Sequence, residues 1–323
     1  TAAAVPAHDG ARRMSASAVA YLIQRVARLA LLLVMVAFVV FVSIRLVPGD
    51  PAAVLAGADA RPEDVELIRH DMGLDRPALV QFGIFLSKFV QGDFGQSLRS
   101  HRPVIEDLAR RLPASFWLAT ASLLVAMLVG MPLGVMAAIR RGTAVDFISM
   151  ILSVSGVCMP TFWLGLLLIT LFSARLGWLP SSGWEGARYL VLPVITLAAY
   201  SMASIARTVR SCMLDVLRQD YVRTARAKGL VERVVIVRHA LSNALVPVIA
   251  VISLQYGYLL GSSVVTETVF AWPGIGLLLI DAIKNRDYPV VQATVLLIGA
   301  LFAVINLASD FVYAWVDPRI RTR

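Results

Sequence analysis

The chain has 323 residues, 58% of them hydrophobic and 16% charged, with a mean hydropathy of +0.75. Soluble chains are about half apolar and roughly a quarter charged, so this composition excludes a water-soluble domain and points to one membrane-embedded body. Thirty Lys+Arg against 21 Asp+Glu leave +9, a balance that suits nucleic acid or an anionic membrane face. Long uncharged runs decide for the membrane.

Residues 1–13 are small and polar and are expected to be a disordered tail, with Met14 an alternative start. The first apolar run opens near Leu29 without a small-residue cleavage site behind it, so it reads as a retained helix and not a secretory signal. A membrane helix needs about 20 mostly apolar residues. Six segments qualify: 29–47, 114–139, 147–174, 190–206, 244–266 and 290–309. The apolar stretch 275–280 is too short to span and reads as a surface-lying or re-entrant turn of helix. Residues 48–111 carry 18 charged groups and are too polar for lipid. In that loop, 62–72 reads as a helix, with Pro at its start and Gly73 after its end. Leu79, Phe82, Phe85 and Phe89 recur at helical spacing and are expected to pack on the spans or the membrane surface. The loop then either caps the mouth of the helical bundle or meets an external protein, and the two are compatible.

Orientation follows from Lys/Arg placement. With the N-terminus inside, the inner side collects Arg12, Arg13, Arg25, Arg28, Arg140, Arg141, eight cations in 207–243, and Arg319, Arg321 and Arg323. Both termini are therefore expected to be cytoplasmic. Topology explains the positive charge, and no aromatic-basic face for nucleic acid remains. Cys158 and Cys212 are too few and too isolated for a disulfide framework or a zinc site.

The absences discriminate among membrane functions. The runs 112–139, 147–174, 189–206, 240–266 and 290–309 hold no Asp, Glu, Lys, Arg or His. Proton-driven carriers usually need such groups at mid-depth, whereas sodium coupling through neutral oxygens stays open. All four histidines lie outside the spans and no HExxH occurs, so no protease site is visible. Lys88, Lys228 and Lys284 are the only lysines, and none completes a phosphate-cradling GxxxxGK[ST] loop. If ATP drives this protein, another chain binds it.

The centre of the basic loop reads Asp220-Tyr221-Val222-Arg223-Thr224-Ala225-Arg226-Ala227-Lys228-Gly229-Leu230. It resembles the cytoplasmic loop of ATP-binding-cassette (ABC) importer permeases, whose motif is E-A-A-x-x-x-G with a later Pro. Arg223, Thr224, Ala225 and Gly229 take the motif positions, with Pro247 beyond; Arg stands for the Glu and Thr for the first Ala. Val47-Pro48-Gly49-Asp50-Pro51, Gly73-Leu74-Asp75-Arg76-Pro77 and Gly92-Asp93-Phe94-Gly95-Gln96-Ser97 resemble the dipeptide/oligopeptide/nickel branch of that family. So do Arg238-His239-Ala240-Leu241, Asn243-Ala244-Leu245-Val246-Pro247, Glu267-Thr268-Val269-Phe270-Ala271-Trp272-Pro273-Gly274-Ile275-Gly276 and Arg286-Asp287-Tyr288-Pro289-Val290-Val291-Gln292. The resemblance covers residues 20–318 and is closest to the branch's first permease subunit, with its long outer loop.

The resemblance implies an all-α polytopic protein with six transmembrane helices in a type I ABC importer permease-like bundle. Residues 1–28 form the tail and helix start, 29–47 the first span, 48–111 the outer loop, 112–318 a five-helix core and 319–323 the tail. It implies a non-enzymatic subunit of a bacterial inner membrane that passes peptides or related solutes. Partners would be a homologous second permease, two cytoplasmic ATPases that bind ATP and Mg, and an extracytoplasmic substrate-binding protein. Tyr221, Ala225 and Leu230 would supply apolar contact to an ATPase groove, Arg223, Thr224 and Arg226 the rim, and Gly229 the turn.

Three further expectations come from the residues. Gln255, Tyr258 and Ser262 share one helical face that must point inward, either bonding neighbouring helices or lining a wet passage. Trp272, in the turn with Pro273 and Gly274, suits the lipid–water boundary with its N–H wet. Gly130/Gly134 and Gly257/Gly261 permit close helix approach, within this chain or to a second permease.

Overall fold

The computed structural model describes residues 9–46, 51–56, 60–71 and 73–316. The motif residues Val47 to Asp50, tail residues 1–8 and the arginines at 319, 321 and 323 lie outside the described residues. The chain divides into two compact units, residues 1–93 and 94–323.

In the first unit, α1 (Asp9–Leu46) is one continuous helix, with Ile23–Ser43 long and apolar enough to cross a membrane. Residues 9–13 are therefore helical, contrary to the expected disorder; Ala11, Arg12, Arg13 and Met14 are good helix formers. Short helices α2 (Pro51–Ala56) and α3 (Pro62–Asp71) lead to α4 (Ala78–Val90). The α4 stripe is used as expected in part: Phe82 packs edge-on against Phe38 and Phe41 of α1, and Phe85 lies 5.9 Å from Phe41. Leu79 stays 81% exposed.

The second unit holds α5 (Val104–Ile139), α6 (Ala144–Cys158), α7 (Thr161–Leu168), α8 (Ala187–Leu217), α9 (Asp220–Ala227), α10 (Glu232–Val234), α11 (Ser242–Val269), α12 (Ile275–Lys284) and α13 (Tyr288–Val316). Helices α5 and α8, the run Glu232–Val269 and Tyr288–Ser309 of α13 are each long and apolar enough to cross a membrane. The segment 147–174, expected as one helix, is broken: α6 meets α7 and its π-helical extension Ile169–Arg175 at 107°. Pro160 has no N–H to give the ladder, and it forces Met159 out of the helical region, to φ −83 and ψ 120. Taken together the bent pair is long and apolar enough for a sixth crossing, as a broken span or a re-entrant loop.

The interior is built of small residues because lipid tails give helices no hydrophobic reason to associate, so close approach must hold them. On α5 the buried stripe runs Ala114, Ser115, Leu118, Ala119, Ser122, Ala126, Gly130, Gly134 and Ala137. Phe116, Trp117, Leu124 and Leu128 face outward. A Cβ on Gly130 would stand 2.7 Å from the Met202 carbonyl of α8, and one on Gly134 would overlap the Ala206 carbonyl. This glycine pair packs within the chain. Gly257 meets Phe302 of α13, whereas Gly261 faces open space. Hydroxyls in the spans bond back one turn, as Ser122 to the Leu118 carbonyl and Thr196 to that of Leu192, which satisfies them without a partner helix.

Candidate functional site

Between α8 and α11 the chain forms a small platform around α9. Val222 and Ala225, three apart and thus on one face, pack with Val235 against Val216 and Leu217. Ala225 is turned into its own chain, so it is not on the outer face where partner contact was expected. Tyr221, Arg223, Thr224 and Leu230 are exposed. Arg226 is also exposed but tied, its guanidinium donating to Glu232 at 2.7 and 3.2 Å, while Arg223 bonds Asp220 at 3.1 Å. Gly229 ends the helix at φ +76. Its N–H donates to the Arg226 carbonyl and that of Leu230 to the Ala225 carbonyl, the double closure that a left-handed residue allows. No atom lies near where a Gly229 Cβ would sit, so backbone conformation, not space, calls for glycine there.

The polar face of α11 splits in two. Gln255 is 7% exposed and its amide oxygen accepts from Ser201 of α8 at 3.2 Å, the dry alternative. Tyr258, 42% exposed, lies with its ring 4.7 Å from Tyr200. Ser262 bonds back to the Leu259 carbonyl.

At the far end of α11 stands a group that the sequence did not single out. Glu267 is 0% exposed. Its carboxylate accepts from Ser115 Oγ of α5 at 2.6 Å and from the N–H groups of Gly276 and Leu277 at 2.7 and 3.2 Å. Ser115 Oγ in turn accepts from Ile275 N. A carboxylate at the N-terminal end of α12 interacts favourably with the positive end of the helix dipole. Gly274 and Gly276 are needed because a Cβ on either would collide with that carboxylate. Trp272 belongs to the same joint. Expected at the lipid boundary with a wet N–H, it is instead 3% exposed, its Nε1 donates to the Ala114 carbonyl at 3.0 Å, and it meets Trp184 edge-on. The turn through Pro273 and Gly274 folds the indole back between α5 and α11. The partner Ser115 is 152 residues from Glu267, so the motif Glu267–Gly276 could flag one half of the joint but not its partner.

Beside it, two motif loops are clasped. Asp287, 4% exposed, accepts from Ser97 Oγ at 2.6 Å and from Leu98 N at 3.1 Å. At the opposite end of α8, Arg210 donates to both oxygens of Asp146 at 2.6 and 2.9 Å and so fixes the first turn of α6. Among the described residues no three His, Cys, Asp or Glu gather as a metal site. The arrangement is one of helices clasped at their ends, with an exposed platform between α8 and α11.

Comparisons with known proteins bear on the family and the fold. Residues 130–322 match the family "binding-protein-dependent transport system inner membrane component", and residues 18–119 match the N-terminal part of such components. The glutathione transport system permease protein GsiC of Escherichia coli K12 is 45% identical over 301 residues, 93% of this chain and 98% of that protein. Its counterpart in Pectobacterium atrosepticum is 46% identical over the same length. A chain of the MetNI methionine ABC transporter in an inward-facing conformation superposes with a TM-score of 0.55 at 20% identity, covering 66% of this chain and 97% of that one. At that identity the likeness concerns the fold.

Proposed function

We propose, from the premise that the chain belongs to the family of binding-protein-dependent transport system inner membrane components, a transport cycle in which α9 receives the force of ATP hydrolysis. The protein is the permease subunit of an ABC importer, a multi-pass inner-membrane component. Its cargo is a short peptide or a peptide-like solute. Relatives 45% identical over nearly their whole length are permeases for glutathione, itself a small peptide. The chain pairs with a homologous second permease above two ATPases, which hold ATP and Mg, and a substrate-binding protein delivers cargo on the outer side. Both termini and α9 face the cytoplasm.

The observation that carries this reading is the α9 platform: a helix exposing Tyr221, Arg223, Thr224 and Leu230, stopped by Gly229 and braced on α8 and on the π-helical segment Val235–Leu241 at the foot of α11. A push on it passes to two spans at once. ATP-driven closure of the ATPases would then bias an equilibrium between outward- and inward-open states. Gly229→Val tests it. A β-branched residue is strongly disfavoured at positive φ, so the turn and the exposed face should be lost. Peptide uptake in membrane vesicles should fall at least tenfold while the subunit still inserts. Wild-type uptake with normal ATPase co-purification would reduce α9 to a topological anchor.

A further inference from the structure

The clasp at Asp287 has a consequence for the surface around it. It holds the loop from Ser97 to Arg102 against the turn from Ile283 to Arg286, and both present cations. Arg99, Arg102, Lys284 and Arg286 are all exposed, and no side chain among the described residues pairs with any of them. Nearby carboxylates are otherwise engaged or set back: Asp287 is buried in the clasp, Glu106 is paired with Arg110, Asp107 meets Ser100, and Asp281 is half-buried one turn before Lys284. Ile283, 53% exposed, sits beside these cations.

Two features mark the patch as built. His101 and Arg286 take φ 54 and 55, left-handed values that non-glycine residues rarely adopt, and each adjoins the clasp. Lys284 and Arg286 also lie in a short connection between spans. On the outer side such cations run against the bias that keeps Lys and Arg inside, so topology does not account for them.

We infer that this surface, Arg99 and Arg102 with Lys284, Ile283 and Arg286, docks an acidic face of the extracytoplasmic substrate-binding protein. The inference rests on the importer reading above, which puts these loops outside. Unpaired cations on two clasped loops, with an exposed apolar side chain next to Lys284 in the chain, are suited to steering and then seating a protein partner. A surface held rigid by a buried carboxylate favours a shaped partner over mobile lipid headgroups.

The test uses the whole transporter in nanodiscs with its purified binding protein. The reading is the binding-protein concentration that half-maximally stimulates ATP hydrolysis. With Lys284→Glu and Arg286→Glu together, that concentration should rise at least tenfold with the maximal rate retained. The wild-type value should climb with added salt and the variant's should not. Lys284→Gln with Arg286→Gln should give a smaller shift in the same direction, which separates lost charge from misfolding. An unchanged half-maximal concentration in both pairs overturns the proposal, as does a shift seen only in discs containing anionic lipid. A wild-type complex that hydrolyses ATP but gives no response to the binding protein at any concentration would sink the importer reading as well.

Discussion

Glu267→Ala would leave the Ser115 hydroxyl and the Gly276 and Leu277 amides without their acceptor. A buried group stripped of its partner costs about 1–3 kcal/mol, so the loss should reach about 3 kcal/mol or more. Glu267→Gln keeps the shape and an acceptor oxygen and should cost less. Thermal unfolding of the detergent-purified subunit ranks the two, and equal midpoints for Glu267→Ala and wild type would contradict the joint. The glycines supply a second contrast. Gly274→Ala puts a methyl where the carboxylate lies, whereas Gly261→Ala meets nothing. The first should lower the unfolding midpoint by several degrees and the second leave it within a degree or two.

Helix by helix, legibility was uneven for physical reasons. Apolar runs marked the five helices long and apolar enough to cross and the bent pair, since the length and hydropathy a span needs are set by the bilayer. The break at Pro160 was written in the sequence but masked by the apolar residues on both sides, which read as one span. Periodicity put Gln255, Tyr258 and Ser262 on one inward face, but it cannot say that Gln255 would find Ser201 while Tyr258 would stay 42% exposed. Cysteine scanning separates them. Tyr258→Cys should react with a water-soluble thiol reagent and change its labelling when ATP is trapped on the ATPases. Gln255→Cys should stay protected in every state. Fast labelling at 255 would mean that the α8–α11 seam opens to water. The seam between α5 and α8 should be less tolerant still: Gly134→Leu must displace the Ala206 carbonyl, and the assembled transporter should be lost from the membrane.

At the scale of the molecule, the chain joins two ends that the sequence described separately. The platform at α9 came from a motif; the structure turns Ala225 into its own chain and ties Arg226 to Glu232. The clasps at the other end, Glu267 with Ser115 and Asp287 with Ser97, join residues more than 150 positions apart, beyond the reach of local pattern. They explain why the motif stretches around Gly92, Glu267 and Arg286 occur as they do: each supplies one half of a clasp or the space for it. Between the ends run α8 and α11, bonded to one another at Ser201 and Gln255. The central claim is that ATP hydrolysed on separate subunits moves these spans through α9. ATP-dependent uptake of labelled glutathione or a tripeptide into proteoliposomes, with binding protein and ATPases present, tests it most directly. Uptake should require ATP and vanish with Gly229→Val. Accumulation by this subunit alone, driven by a sodium or proton gradient without ATPases, would contradict it.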